Sequence, residues 1–167
     1  MYTPSIIVDQ VIEALAVFIA PLCPGAEIVR AQVNRVPMPP NPCVVLTELL
    51  RVGLETPGVV FDATLGQSDI ARPSRIDVQI DFYGDNAGDQ CGAVETVYRT
   101  EYATAQFPDG IKPLYCSDGI QSPMISGEQQ WQSRWTLTAS MQYNPVVTVP
   151  QDSANVATVD IFDAVDL

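Results

Sequence analysis

Residues 75–89, RIDVQIDFYGDNAGD, decide the fold. Ile76, Val78, Ile80 and Phe82 fall on one side of an extended chain and Asp77, Gln79 and Asp81 on the other. Strict period two is the mark of a strand that is buried on one face only. Gly84 ends it. Asn86 is a helix-capping residue, and Asp89, three positions later, places a carboxylate at the positive end of the helix dipole. Beyond it Ala87, Cys91, Val94, Tyr98, Tyr102 and Ala105 recur at spacings of three and four, one apolar stripe on a helix predicted to run to Phe107 and Pro108.

Working toward the C-terminus, residues 111–116 read as a short extended segment, and residues 117–127 as a loop rich in Ser, Gly and Pro. Residues 129–143, QQWQSRWTLTASMQY, alternate again. Trp131, Trp135, Leu137, Ala139, Met141 and Tyr143 take one face, and Gln132, Arg134, Thr136, Thr138, Ser140 and Gln142 the other. Unbroken, this strand would be about 45 Å long at about 3.3 Å per residue, so one end is expected to leave the sheet or to bend at a bulge. Asn144 and Pro145 close it. Residues 151–167 carry Asp152, Asp160, Asp163 and Asp166 and no basic residue, yet Val156, Ile161, Phe162 and Val165 are too apolar for a purely solvated tail. They are expected to form an edge strand or an arm that orders on a partner.

Toward the N-terminus, Thr3 and Pro4 make a helix cap and first helical position, followed by an apolar stripe at Val8, Val11, Ile12, Leu15, Phe18, Ile19 and Leu22. Pro21, Pro24 and Gly25 stop that helix. A short extended segment, residues 27–33, leads into the proline cluster Pro37, Pro39, Pro40 and Pro42. Residues 43–54, CVVLTELLRVGL, read as a strand. A tight turn at residues 55–58 joins it to a second strand at residues 58–65 in a predicted hairpin, and residues 67–73 read as a loop. Residues 1–150 thus predict a single α/β domain, with residues 151–167 as its acidic arm or edge strand. Val78→Asp and Val94→Asp are expected to cost several kcal/mol by burying an unpaired charge, and Gln79→Asp little.

Eight basic against 20 acidic residues give a net charge of −12, which repels phosphate backbones and anionic lipid. Sequence-reading nucleic-acid binding is not expected. The apolar content of 47% supplies a core, so the acidic balance does not imply disorder. Residues 6–23 contain Asp9, Gln10 and Glu13, a poor spanning segment. No Lys or Arg precedes Arg30, so a signal peptide's basic region is missing too, and a soluble protein made in the cytoplasm is expected. Cys23, Cys43, Cys91 and Cys116 lie too far apart for a zinc knuckle or a CxxC pair and read as reduced structural thiols.

Histidine is absent, Lys112 is the only lysine, and none of GxSxG, HExxH, GxGxxG or GxxxxGK[ST] occurs. The chain is expected to be no enzyme, with no catalytic, cofactor-binding or metal-binding residues and no cofactor. Asp77 and Asp81 share a strand face but stand about 13 Å apart, too far for one ion to bridge. A metal-dependent hydrolase built on scattered carboxylates is the rival reading, which calorimetry with divalent cations tests. The surface offered instead for contact between copies or with a partner is Asp77, Gln79, Asp81, Gln132, Arg134, Thr136 and Thr138.

The string RIDVQIDFYGDNAGD, the helix after it, and EQQWQSRWTLTASMQYNP at residues 128–145 together resemble the tail or neck terminator proteins of tailed phages and prophages. The likeness spans residues 30–145 and leaves the segment after Pro150 unmatched. It implies an α+β (α/β) fold, a mixed and largely antiparallel sheet packed by two helices. It further implies a structural virion protein of the tail or neck, assembled in the bacterial cytoplasm, whose copies form a homohexameric ring. That ring would cap the tail tube protein, join the head-tail connector proteins and pass DNA through its lumen without specific binding. A connector or tail tube subunit is the rival within that class.

Overall fold

In the computed structural model, residues 2–31, 39–122, 124–125 and 131–152 are described. Helix α1 (Val8–Ile19) buries Val11, Ile12, Leu15, Phe18 and Ile19, the stripe read from the sequence. It starts later than Thr3 and Pro4 suggest because Ser5 is already engaged. The Ser5 N–H donates to the Val146 carbonyl at 2.9 Å, and its hydroxyl accepts the Val146 N–H at 3.0 Å. Gln10 Oε1 accepts the Ile7 N–H at 2.9 Å and closes the first helical turn instead. A 3-10 turn at Ala20–Leu22 and Gly25, with φ +79°, end the helix.

The elements that follow are β1 (Glu27–Arg30), β2 (Cys43–Gly53), β3 (Gly58–Asp62), β4 (Gln67–Ala71), β5 (Ser74–Tyr83), α2 (Ala87–Tyr98) and α3 (Glu101–Gln106). Then come β6 (Ile111–Cys116), β7 (Ile120–Gln121), β8 (Met124–Ile125), β9 (Trp131–Gln132), β10 (Arg134–Tyr143) and β11 (Val146–Pro150). The main sheet has the order β1-β2-β5-β10-β6, with β7 also on β10. Among the described residues only the β1–β2 pair is parallel. The fold is α+β, with a mixed, largely antiparallel sheet.

Its core lies between one sheet face and the helices. Ile76, Val78, Ile80 and Phe82 of β5 and Leu137, Ala139, Met141 and Tyr143 of β10 pack with the α1 stripe and with Ala87, Cys91, Val94 and Tyr98 of α2. Phe18, Tyr98 and Phe107 meet as an aromatic trio with centroids 5.3 to 6.3 Å apart. The buried Tyr98 hydroxyl donates to the Ser140 carbonyl at 3.0 Å, so the polar end of this side chain is satisfied as well. All four cysteines are free and buried. Burial pushes the Cys23 thiol up to about 12 and the Cys91 thiol up to about 11.

Several expectations change. The predicted helix from Asn86 to Phe107 is two helices, because Arg99 and Thr100 leave the helical path and reset its phase. Three helices are therefore described where two were expected. Tyr102 then points outward, 57% exposed, and Ala103 is buried instead. The last long strand, by contrast, leaves the main sheet at one end as its length implies, with a break at Ser133 beyond which β9 pairs with β8. Residues 67–73 are not a loop, since β4 occupies most of them, and part of the segment 117–127 forms β7 and β8. The expected hairpin between residues 43–54 and 58–65 is absent, because β3 pairs with β4 and β2 with β5.

A second sheet, β11-β4-β3, explains that pairing. It repeats the order β10-β5-β2, because each of those three strands continues past a short break. Each break holds a proline, Pro57, Pro73 or Pro145. Proline has no N–H to give a ladder, so three prolines at one level divide one ribbon into two sheets. Only irregular bonds cross the gap, from the Leu54 N–H to the Pro73 carbonyl (2.9 Å) and from the Arg72 N–H to the Pro145 carbonyl (3.4 Å). Strand β11 has no counterpart in the sequence reading, which closes the strand of residues 129–143 at Asn144 and Pro145 and assigns nothing to residues 146–150. The edge strand or arm expected at residues 151–167 lies, past Asp152, outside the described residues.

Candidate functional site

The helix-free face of the main sheet carries the polar residues of β5 and β10. Antiparallel register sets Thr136 opposite Asp81, Thr138 opposite Gln79, and Ser140 opposite Asp77. Six of the seven residues read from sequence as a contact surface therefore meet in one ladder: Asp77, Gln79, Asp81, Arg134, Thr136 and Thr138. Gln132 does not join it, because β9 pairs with β8 beyond the break at Ser133.

This face is not a row of solvated carboxylates. Asp81 is 3% exposed and is surrounded by donors. Its Oδ1 accepts from Arg134 Nε (3.1 Å) and Nη2 (3.0 Å) and from Thr136 Oγ1 (2.5 Å). Its Oδ2 accepts from Gln79 Nε2 at 2.8 Å. Four donors on one carboxylate offset its burial, which unpaired would cost several kcal/mol. The Arg134 guanidinium also lies 5.8 Å above the Tyr83 ring. Burial, and next the Asp81 charge, raise the Tyr83 hydroxyl above its ordinary pKa.

Asp77 has its own partners. Ser140 Oγ donates to it at 2.6 Å and Arg75 Nη2 at 3.2 Å. The alternation of residues 129–143 puts Ser140 on this face but does not pair it with Asp77, and Arg75 is an addition to the predicted surface. The signal available was position, since Arg75 sits two residues before Asp77 on the same strand face. At the end of the face near β1, Cys43, Val45 and Tyr83 form a small apolar cluster with Val29 and Ala31. Among the described residues no three His, Cys, Asp or Glu side chains converge as metal ligands would. What the arrangement offers chemically is a flat hydrogen-bonding surface whose two carboxylates are already held.

A second surface went unrecognised in the sequence. Strand β1 faces only Cys43, Val44, Val45 and Leu46 of β2. Those four are buried, whereas Leu49, Leu50, Val52 and Leu54 beyond them are exposed. The exposed run continues into β3, where every residue is exposed and Val60 reaches 72%. Among the described residues, the outer edge of β2 past Leu46 and of all of β3 has no strand partner. Periodicity alone could not find this edge, because an apolar run reads the same whether a neighbour covers it or not.

A family model described as phage neck terminator protein matches residues 9–165. The match takes in α1 and the segment after Pro150, both outside the span of the likeness read from sequence. No curated protein matches the chain.

Proposed function

The chain belongs to the phage neck terminator protein family, and we propose that its copies close into a ring on the last ring of the tail tube, there stopping tube growth and forming the joint to the head-tail connector. The structural role in the tail or neck is the family's; ring closure, the capping position and the partners are the proposal. The observation that carries it is the helix-free face of β5 and β10. Asp81 and Asp77 are already satisfied by Arg134, Thr136, Gln79, Ser140 and Arg75, so the face presents a hydrogen-bonding surface rather than a reactive carboxylate. Such a surface suits wet contact with another subunit, and the same feature favours a non-enzymatic role.

The acidic balance supports a lumen that passes DNA without gripping it, because like charge gives phosphates no counterions to release. No membrane partner is invoked, and assembly takes place in the host cytoplasm. Electron microscopy of purified chain mixed with tail tubes tests the reading. Closed rings seated on one end of a tube are the expected result. Long cylinders of this chain alone would make it a tube subunit instead, and particles that never associate with tubes would refute the capping role.

A further inference from the structure

We propose that residues 156–165 of one copy add as an antiparallel strand to the open β3 edge (Gly58–Asp62) of a second copy, making a head-to-tail junction between subunits. This rests on the ring reading above and names the contact that would build such a ring. The acceptor is unusual in what it leaves uncovered. In the single chain all five β3 residues are exposed, among them Val59, Val60 and Phe61, and their outer backbone groups pair with nothing among the described residues. An apolar strand with an open edge is a template for strand addition.

The donor is identified by composition, reach and charge. Residues 156–165, VATVDIFDAV, are rich in β-branched residues, with Ala157, Val159, Ile161 and Val165 on one side of an extended chain, interrupted there by Asp163 near its C-terminal end. The family match extends to residue 165, so this segment belongs to the family's pattern rather than to a stray tail. The described chain leads into it from Gln151, whose N–H donates to Gly66 at the tip of the β3–β4 hairpin (2.9 Å). The fifteen residues 153–167 span up to about 50 Å when extended, enough to reach a neighbouring subunit.

Charge sets the direction. Arg72 follows Ala71, the partner of Gly58, and has no carboxylate partner among the described residues. Asp62 lies at the opposite end of β3. An antiparallel donor brings Asp163 and Asp166 toward Arg72 and keeps them from Asp62, whereas a parallel donor would crowd aspartate on aspartate.

Full-length chains test the junction. A labelled peptide of residues 153–167 should bind saturably, one to one, to the Ile161→Asp chain, whose own segment is disabled and whose β3 edge is intact. Adding Val60→Asp should weaken binding by roughly tenfold or more, the loss expected when one valine is no longer buried. Far-UV circular dichroism should be unchanged, since Val60 is 72% exposed. Arg72→Glu should weaken binding as well, and a peptide carrying Asp163→Lys and Asp166→Lys should restore it. Mixing the full-length Val60→Asp and Ile161→Asp chains leaves one working junction per pair. Native mass measurement should then find a heterodimer, with each variant alone monomeric. A peptide that does not bind, binding indifferent to Val60→Asp, or a mixture that stays monomeric overturns the proposal. A mixture that pairs while wild-type chain ignores tail tubes leaves the junction standing and removes the capping role instead.

Discussion

Asp81 is the residue on which the helix-free face depends, because a carboxylate this buried is tolerated only while its donors are present. Arg134→Ala removes two of them and should destabilise the fold by about 2–3 kcal/mol in urea titrations, below the usual cost of breaking a buried pair because Arg134 is partly exposed. Asp81→Asn keeps the shape and an acceptor and should cost less. Gln79→Asp, harmless when the face is read as solvated, should instead cost about 1–2 kcal/mol, since it sets a second carboxylate where Asp81 receives a donor. Equal stability of Gln79→Asp and wild type would show that this hydrogen bond carries no weight. The alternation of residues 75–83 made the polar face legible, but not its satisfaction. Arg134 lies 53 positions from Asp81, and only strand register brings them together.

The buried thiols give a second test at this scale. Cys23 and Cys91 have folded pKa values above the ordinary 9.0, about 12 and about 11, mainly through desolvation. Below pH 9 both states hold the proton and the two thiols add no pH dependence. Above it the unfolded chain ionises first, so stability falls, by up to about 1.4 kcal/mol per pH unit for each thiol until the folded value is reached. Thermal midpoints measured from pH 7 to 11 should decline in the upper range, and less steeply in a Cys23→Ala, Cys91→Ala chain than in wild type. Parallel declines would assign the effect to other groups, such as Tyr98, whose hydroxyl burial also raises.

Among elements, the break between α2 and α3 is the sharpest departure from periodicity. A continuous helix puts Tyr102 inward; the observed one buries Ala103 and exposes Tyr102. Ala103→Asp should therefore cost several kcal/mol and Tyr102→Asp under about 0.5, a difference that chemical denaturation reads directly. The reverse order would restore the single helix. Val78→Asp and Val94→Asp remain severe on either reading, as both side chains are fully buried. The stripe failed because spacing carries no memory of a kink: Thr100 takes extended backbone angles, with φ −111° and ψ 164°, and the next turn starts afresh. The three-proline break was hidden for a related reason. Pro57, Pro73 and Pro145 are each visible in the sequence, but that they stand at one level of one ribbon follows only from which strands pair.

At the scale of the whole molecule, charge argues more than shape. In the proposed ring, a net charge of −12 on each copy would add repulsion toward phosphate, and the proposed lumen and DNA would stay apart unless basic residues gathered along the bore. Of the basic side chains in described positions, Arg30, Arg51, Arg75, Arg99 and Arg134 are already paired with carboxylates, and Lys112 donates to backbone carbonyls. Few are left to line such a bore. Purified chain should therefore leave the electrophoretic mobility of linear DNA unchanged at low ionic strength, about 20 mM, where counterion release would favour binding most strongly. Retardation that disappears as salt is raised would reveal a basic track despite the overall charge, and the friction-free lumen would have to be given up. Retardation indifferent to salt would point to contacts with the bases, which this charge balance does not support.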